Sequence, residues 1–254
     1  MTTFDFSSKA ALVTGASRGI GRAVAVRLAR GGARVAVHHH ANPSGAEATL
    51  AELDGSGHIA VQADITDPAA VADTVETVID RLDALDVLVN NAGVYEPHPL
   101  HIVSYDQWQA VWRRTIDTNL IGAANVTYCA ARFMLAHDGG RIINVSSRGA
   151  FRGEPDHPAY GASKAALNSL GQSLAQSLGP RIRVATVAPG FVDTDMAAPY
   201  LRGSAGDAIR AQSPLGRAAT PDEVAYVVAF LASDGAELTT GAIVDVNGAS
   251  HLRS

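Results

Sequence analysis

Ala10-Ala11-Leu12-Val13-Thr14-Gly15-Ala16-Ser17-Arg18-Gly19-Ile20-Gly21 is an apolar run that breaks into glycines and resumes with apolar residues at helical spacing. Five residues without a charge suit a buried strand, and Ile20, Val24 and Leu28 fall on one face of a helix that Gly31-Gly32 stops. The stretch therefore predicts strand, tight turn, helix. The pattern then repeats. Arg34 to His38 and Ile59-Ala60-Val61 are further strands, the latter ending at Ala63-Asp64. Asp67-Pro68 opens a helix, with aspartate as cap and proline in the first turn, whose stripe is Val71, Val75, Val78, Ile79 and Leu82. Val87-Leu88-Val89, Arg141 to Val145, Arg183 to Val187 and Ala242 to Val246 complete the strands. Ser104 to His137, Pro158 to Leu178 and Pro221 to Ala232 complete the helices.

Near-continuous apolar strands alternating with helices predict an α/β fold: one Rossmann-type doubly wound parallel sheet of about seven strands, with helices on both faces. No low-complexity linker divides the chain, so residues 1–254 read as a single domain. The exception to the pattern is Phe191 to Pro214, rich in glycine, proline and aspartate, which reads as a mobile lid over 191–214.

Composition narrows the partners. The 254 residues are 47% hydrophobic and 18% charged, with a formal net charge of −5. There is no basic block, so nucleic acid is not an expected partner. One cysteine, Cys129, allows neither an intrachain disulfide nor a cysteine metal cluster. The start, MTTFDFSSK, lacks a positive segment followed by an apolar one, and no apolar run reaches membrane-spanning length. A cytoplasmic location with no membrane partner is expected.

Gly15-x3-Gly19-x-Gly21 departs from the G-x-G-x-x-G spacing. Taken alone it is either a generic tight turn or a cradle for a pyrophosphate, with backbone N–H groups and a helix N-terminus turned toward the anion. The end of the second strand bears on which dinucleotide fits. A carboxylate there suits a free ribose hydroxyl and repels a 2′-phosphate. This chain has His38-His39-His40 instead, and Arg18 supplies a cation within reach. NADP(H) is therefore favoured, and NAD(H) remains an alternative. Adjacent strand residues point to opposite faces, so the histidine triplet is not read as a metal site. Asp64 is either an acceptor for an adenine amino group or a strand-end turn residue.

Tyr160-Gly161-Ala162-Ser163-Lys164 sets a phenol and an ammonium one helical turn apart, and Ser147 ends an apolar run thirteen residues upstream. These groups suffice to pass a proton to a carbonyl oxygen. Ser146 points to the opposite face from Ser147.

With these residues together, the chain resembles the short-chain dehydrogenase/reductase family over nearly its whole length. Thr14 to Gly21 looks like the family's cofactor loop, and Asn90-Asn91-Ala92-Gly93 like the motif after its fourth strand. Asn119, Ser147, Tyr160 and Lys164 match its active-site residues, and Pro189-Gly190 with Thr194 its nicotinamide border. The resemblance implies cofactor contacts from Gly15, Ser17, Arg18, Gly19, Ile20 and Gly21; from His39, Asp64 and Ile65; from Asn91, Ala92, Gly93, Tyr160 and Lys164; and from Pro189, Gly190, Val192 and Thr194. It implies hydride transfer between a nicotinamide cofactor and a ketone or secondary alcohol, with Tyr160 as proton donor. Lys164 and the oxidised ring would lower its pKa toward 7, and Asn119 would hold a relay water. The overall pattern looks most like 3-oxoacyl-carrier-protein reductases and related carbonyl reductases. Sugar, polyol and hydroxysteroid dehydrogenases share the motifs, and an NADP-binding sensor or scaffold without turnover is the distant alternative. A homotetramer built by the long central helices and the last strand is also implied. Asn247-Gly248-Ala249 stands where many members have Asp-Gly-Gly, a structural departure. The substrate is expected between Val94 to Leu100, the charged segment Arg148 to His157, and the lid.

Overall fold

Strand alternation decides which side chains meet which helices. In the computed structural model, Ala11 and Val13 of β1 (Ala10–Val13) enter one apolar core, while Ala10 and Leu12 enter the other. The same split recurs in β5 (Gly140–Val145), where Ile143 and Val145 face the first core and Ile142 the second. Both faces are therefore covered, as a charge-free strand requires. The structure describes residues 4–253; Met1 to Thr3, within the stretch read for a leader, and Ser254 lie outside the described residues.

The remaining strands are β2 (Arg34–His39), β3 (Ile59–Gln62), β4 (Val87–Asn90), β6 (Ile182–Pro189) and β7 (Ile243–Val246). All pair in parallel in the order β3-β2-β1-β4-β5-β6-β7. From β1 the chain winds outward through β2 and β3, then returns to β4 and winds the other way. The reversal opens a crevice at the C-terminal ends of β1 and β4.

One face carries α1 (Gly19–Arg30), α2 (Pro43–Ala51) and α9 (Pro221–Ala232). The other carries α3 (Pro68–Leu82), α5 (Ala123–Ala136) and α7 (Pro158–Leu178). Local chemistry starts several of these helices. Asp67 accepts from the N–H groups of Ala69 and Ala70 ahead of α3, and Thr220 forms a capping box with Glu223 ahead of α9.

Four elements differ from the sequence reading. The long helix expected from Ser104 to His137 is α4 (Tyr105–Ile116), a π-helical turn over Asp117–Gly122, and α5. Gly122 sits tightly over Ile65 there, since a Cβ would lie 2.6 Å from the isoleucine Cγ1. Helix α2 had no counterpart in the periodicity because it buries only Ala46 and Thr49. The lid segment contains α8 (Gly203–Arg210), and α6 (Gly149–Arg152) is a single turn after β5.

Candidate active site

The crevice is a cavity of about 790 Å³ that runs from His40 and Asp64 at one end to Ser147 and Tyr160 at the other. Its floor is the glycine loop. Gly15 has φ +64° and lies against the β4 end, where a Cβ would approach Ala92 Cα to 2.9 Å. Beneath it a Cβ on Gly21 would stand 2.4 Å from the Gly15 carbonyl oxygen, so this glycine packs under the loop and does not line the cavity. Asn91 clamps the loop from β4: its Nδ2 donates to the carbonyls of Thr14 (2.8 Å) and Gly15 (3.1 Å). Thr14 Oγ1 accepts in return from the N–H groups of Asn91 and Ala92. Asn90 points inward and donates to Thr127 Oγ1 and Asn144 Oδ1, tying β4 to α5 and β5.

The three consecutive histidines have three different environments. His38 is buried, and its Nδ1 accepts from the Gly15 N–H (3.2 Å) while Nε2 donates to the Ala63 carbonyl (3.2 Å). Those partners fix the neutral tautomer, and burial pushes the imidazole down to about 4. His39 is also buried and lines the cavity, and its Nδ1 has no partner. His40 is exposed, with Nε2 3.8 Å from Asp64 Oδ2. The other Asp64 oxygen accepts from the Thr66 N–H and hydroxyl, which hold the carboxyl below its usual range. Arg18 stands exposed at the start of α1, with no capping bond from its side chain.

Helix α7 delivers the reacting end. Lys164 is buried, and its Nζ donates to the Val145 carbonyl at the end of β5 (2.9 Å) and lies 5.8 Å from the centre of the Tyr160 ring. Among the described residues no carboxylate pairs with it, and burial pushes its pKa down to about 8. Burial pushes the Tyr160 phenol up to about 12, Ser147 pulls it down, and Glu154 adds a smaller upward push; the value near 7 is an expectation for the site with the oxidised ring beside it. Burial thus acts on both groups, raising the phenol and lowering the ammonium, which still carries its charge at neutral pH. Ser147 Oγ accepts from the Gly149 N–H (3.0 Å), which leaves its own proton free to face the cavity. Ser146 lines the cavity too, but its hydroxyl is spent on the Lys164 carbonyl (3.3 Å).

Asn119 sits in the π turn, buried and off the cavity wall. Its Oδ1 accepts from the Val94 N–H (2.8 Å), and its Nδ2 donates to the Val94 carbonyl and to Ser163 Oγ. Both amide protons are thus committed, and one Oδ1 lone pair is left. A Cβ placed on Gly93 would lie 3.1 Å from that Oδ1 and 3.5 Å from Lys164 Nζ, so the missing side chain leaves room between the two groups.

Of the other residues expected at a cofactor, Ser17, Gly19, Ile20, Ile65, Gly93, Pro189, Gly190, Val192 and Thr194 all line the cavity with those above. His157 does not. It is buried behind Tyr95, stacks on that ring at 3.8 Å, and bonds the hydroxyl of Tyr200 in the lid segment (2.9 Å). Tyr95 meets Tyr160 edge-on at 4.7 Å, so an aromatic wall stands between His157 and the site. Sequence reasoning had missed His38 and Tyr95 individually. Only the pairing of β2 beside β1 reveals the first, and only the stacking on His157 the second.

Known proteins resemble this chain over nearly its whole length. A family profile described as Enoyl-(Acyl carrier protein) reductase matches residues 15–251. A 3-oxoacyl-(acyl-carrier-protein) reductase of Staphylococcus aureus is 40% identical over 248 residues, covering 96% of this chain and 99% of its own. A solved short chain dehydrogenase from Burkholderia cenocepacia, in complex with NADP, is 37% identical with a TM-score of 0.87, covering 96% and 98% of the two chains. A short-chain dehydrogenase/reductase from Brucella melitensis described as a glucose/ribitol dehydrogenase superposes with a TM-score of 0.91 at 32% identity, over 99% of this chain and 100% of that one. A near-full-length match in sequence and in overall fold shows that the chain belongs to the short-chain dehydrogenase/reductase family.

Proposed function

We propose that this protein is an NADP(H)-dependent carbonyl reductase, with Tyr160 as its proton donor. The observation that carries the reading is the convergence of Ser147, Tyr160 and Lys164 on one end of a dinucleotide-sized crevice. The crevice fits the cofactor: the glycine loop leaves backbone N–H groups and the start of α1 facing an anion, and nothing larger than hydrogen fits at Gly15. Arg18 and the absence of an acid at the end of β2 support NADP over NAD, as does the NADP-bound neighbour.

A bound reduced nicotinamide supplies hydride to the carbonyl carbon. Ser147 donates to the carbonyl oxygen and orients it, and its free proton makes that role available. Tyr160, held near 12, is fully protonated at neutral pH and gives its proton to the same oxygen. Lys164 stabilises the phenolate left behind and returns the proton. Asn119 holds the relay water, through the Oδ1 lone pair that faces Lys164 across Gly93. The lid at 191–214 closes over the substrate through Tyr200. The exposed small residues of α7, Ala162, Ala165, Ser169 and Ser173, support a tetramer. Among the described residues no helix is long and apolar enough to cross a membrane, which suits a cytoplasmic enzyme.

Reduction should therefore need Lys164 charged. Its folded pKa is depressed to about 8, so the ammonium is lost as pH rises through that value. The expected result is a kcat that is flat below pH 8 and falls about tenfold per pH unit above it. A pH–rate profile checks this, and Lys164→Met should abolish the break along with most of the activity.

A further inference from the structure

We propose that the substrate carries its own carboxylate, one to three carbons from the reacting carbonyl, and that Arg148 receives it. The inference rests on the carbonyl-reductase reading and adds the substrate class, an oxo acid.

Arg148 directly follows Ser147, is only 3% exposed, and lines the cavity. Burying a guanidinium is costly unless an anion pairs with it. Arg141, buried to a similar degree, has Asp234 at 3.1 Å and Glu237 at 2.9 Å. Arg148 has no carboxylate within 4.0 Å among the described residues. Its Nη2 donates to the neutral amide oxygen of Gln212 (2.7 Å), and Arg152 Nη1 donates to that same oxygen (3.0 Å). Two cations thus converge on one uncharged acceptor. Nε and Nη1 of Arg148 have no protein acceptor among the described residues, and neither is sealed from the cavity. The ring of Phe191 supports the guanidinium at 5.1 Å. Burial and the neighbouring Arg152 both push its pKa down, as befits a cation short of counter-charge. Glu154 lines the same cavity beyond ion-pair distance, so the three groups sum to one positive charge. One anion would neutralise them, and because Arg148 is the next residue after Ser147 and lines the same cavity, that anion would sit in the compartment that holds the reacting oxygen.

The test is NADPH-dependent reduction of short 2-, 3- and 4-oxo acids, each beside its methyl ester. A guanidinium–carboxylate contact predicts that at least one acid exceeds its ester in kcat/KM by about tenfold to a hundredfold. Arg148→Gln should bring that ratio to about one while the ester rate stays within about threefold. Gln212→Glu places a carboxylate on both guanidiniums from outside the cavity; it should raise the thermal midpoint and erase the preference, so the proposal stays testable if Arg148→Gln does not fold. An equilibrium measurement separates this proposal from the reading beneath it. Butanoate, but not butanamide, should raise the melting temperature of the wild type and not of Arg148→Gln. Ester turnover lost in Tyr160→Phe supports the carbonyl reductase whatever the acids do. Equal rates for every acid and its ester, or an acid preference that survives both substitutions, would overturn the role of Arg148.

Discussion

Tyr160→Phe is expected to lower kcat for ketone reduction by about a thousandfold, the middle of the range for a positioned general acid. Tyr160 stands one turn from Lys164 on α7, beside a serine whose proton is free, at the end of the cavity that holds the β5 terminus. Burial keeps the phenol neutral, with a pKa near 12, so it is a loaded donor at every pH where the fold persists. Phenylalanine keeps the ring against Tyr95 and removes only the hydroxyl. The melting temperature should therefore change little, and the loss should fall on kcat rather than on cofactor affinity. Steady-state NADPH oxidation and nucleotide titration read the two effects separately. A rate within about threefold of wild type would show that the proton comes from elsewhere.

The second large effect concerns the fold, and it comes from a histidine. His38 joins the glycine loop to β3 through Gly15 and Ala63, and its folded pKa is about 4 against an ordinary value of 6.5. An imidazole depressed in the folded state is neutral there while the unfolded chain binds a proton. Stability is then full above pH 6.5 and falls as pH drops toward 4. The difference amounts to about 3 kcal/mol for this one residue. His157, also held near 4, adds loss in the same window. Urea unfolding between pH 4 and 7 should show this slope. His38→Leu should weaken the fold at pH 7 by about 2 to 4 kcal/mol, because two buried backbone groups lose their partner. It should also flatten the acid limb. An unchanged slope in this variant would place the acid sensitivity in other groups.

The parallel sheet was legible because its strands are short, apolar and spaced by glycine turns, and period two in β1 and β5 sorts each side chain to its core. The catalytic constellation was legible for a related reason: Tyr160 and Lys164 are neighbours on one helix, so spacing alone brings them together. What stayed hidden depended on long-range placement. His38 looked like one third of a triplet, and only β1–β2 pairing turns it toward Gly15. His157 ends a segment expected to wall the substrate, but Tyr95 from the loop after β4 covers it. The upward shift of Tyr160 was hidden for an energetic reason: helical spacing shows that Tyr160 and Lys164 are neighbours but not that burial raises the phenol and lowers the ammonium. The short helix α2 escaped because its buried face is one alanine and one threonine.

The central claim is turnover of a carbonyl with NADPH, and its direct test is stoichiometry. NADPH and NADH would be supplied separately with a panel of oxo acids, their esters, 3-oxoacyl thioesters and aldoses, measuring cofactor oxidised and alcohol formed. The account predicts one secondary alcohol per NADPH consumed for at least one ketone, with NADH slower. NADPH that binds yet yields no alcohol from any of these carbonyls would contradict it.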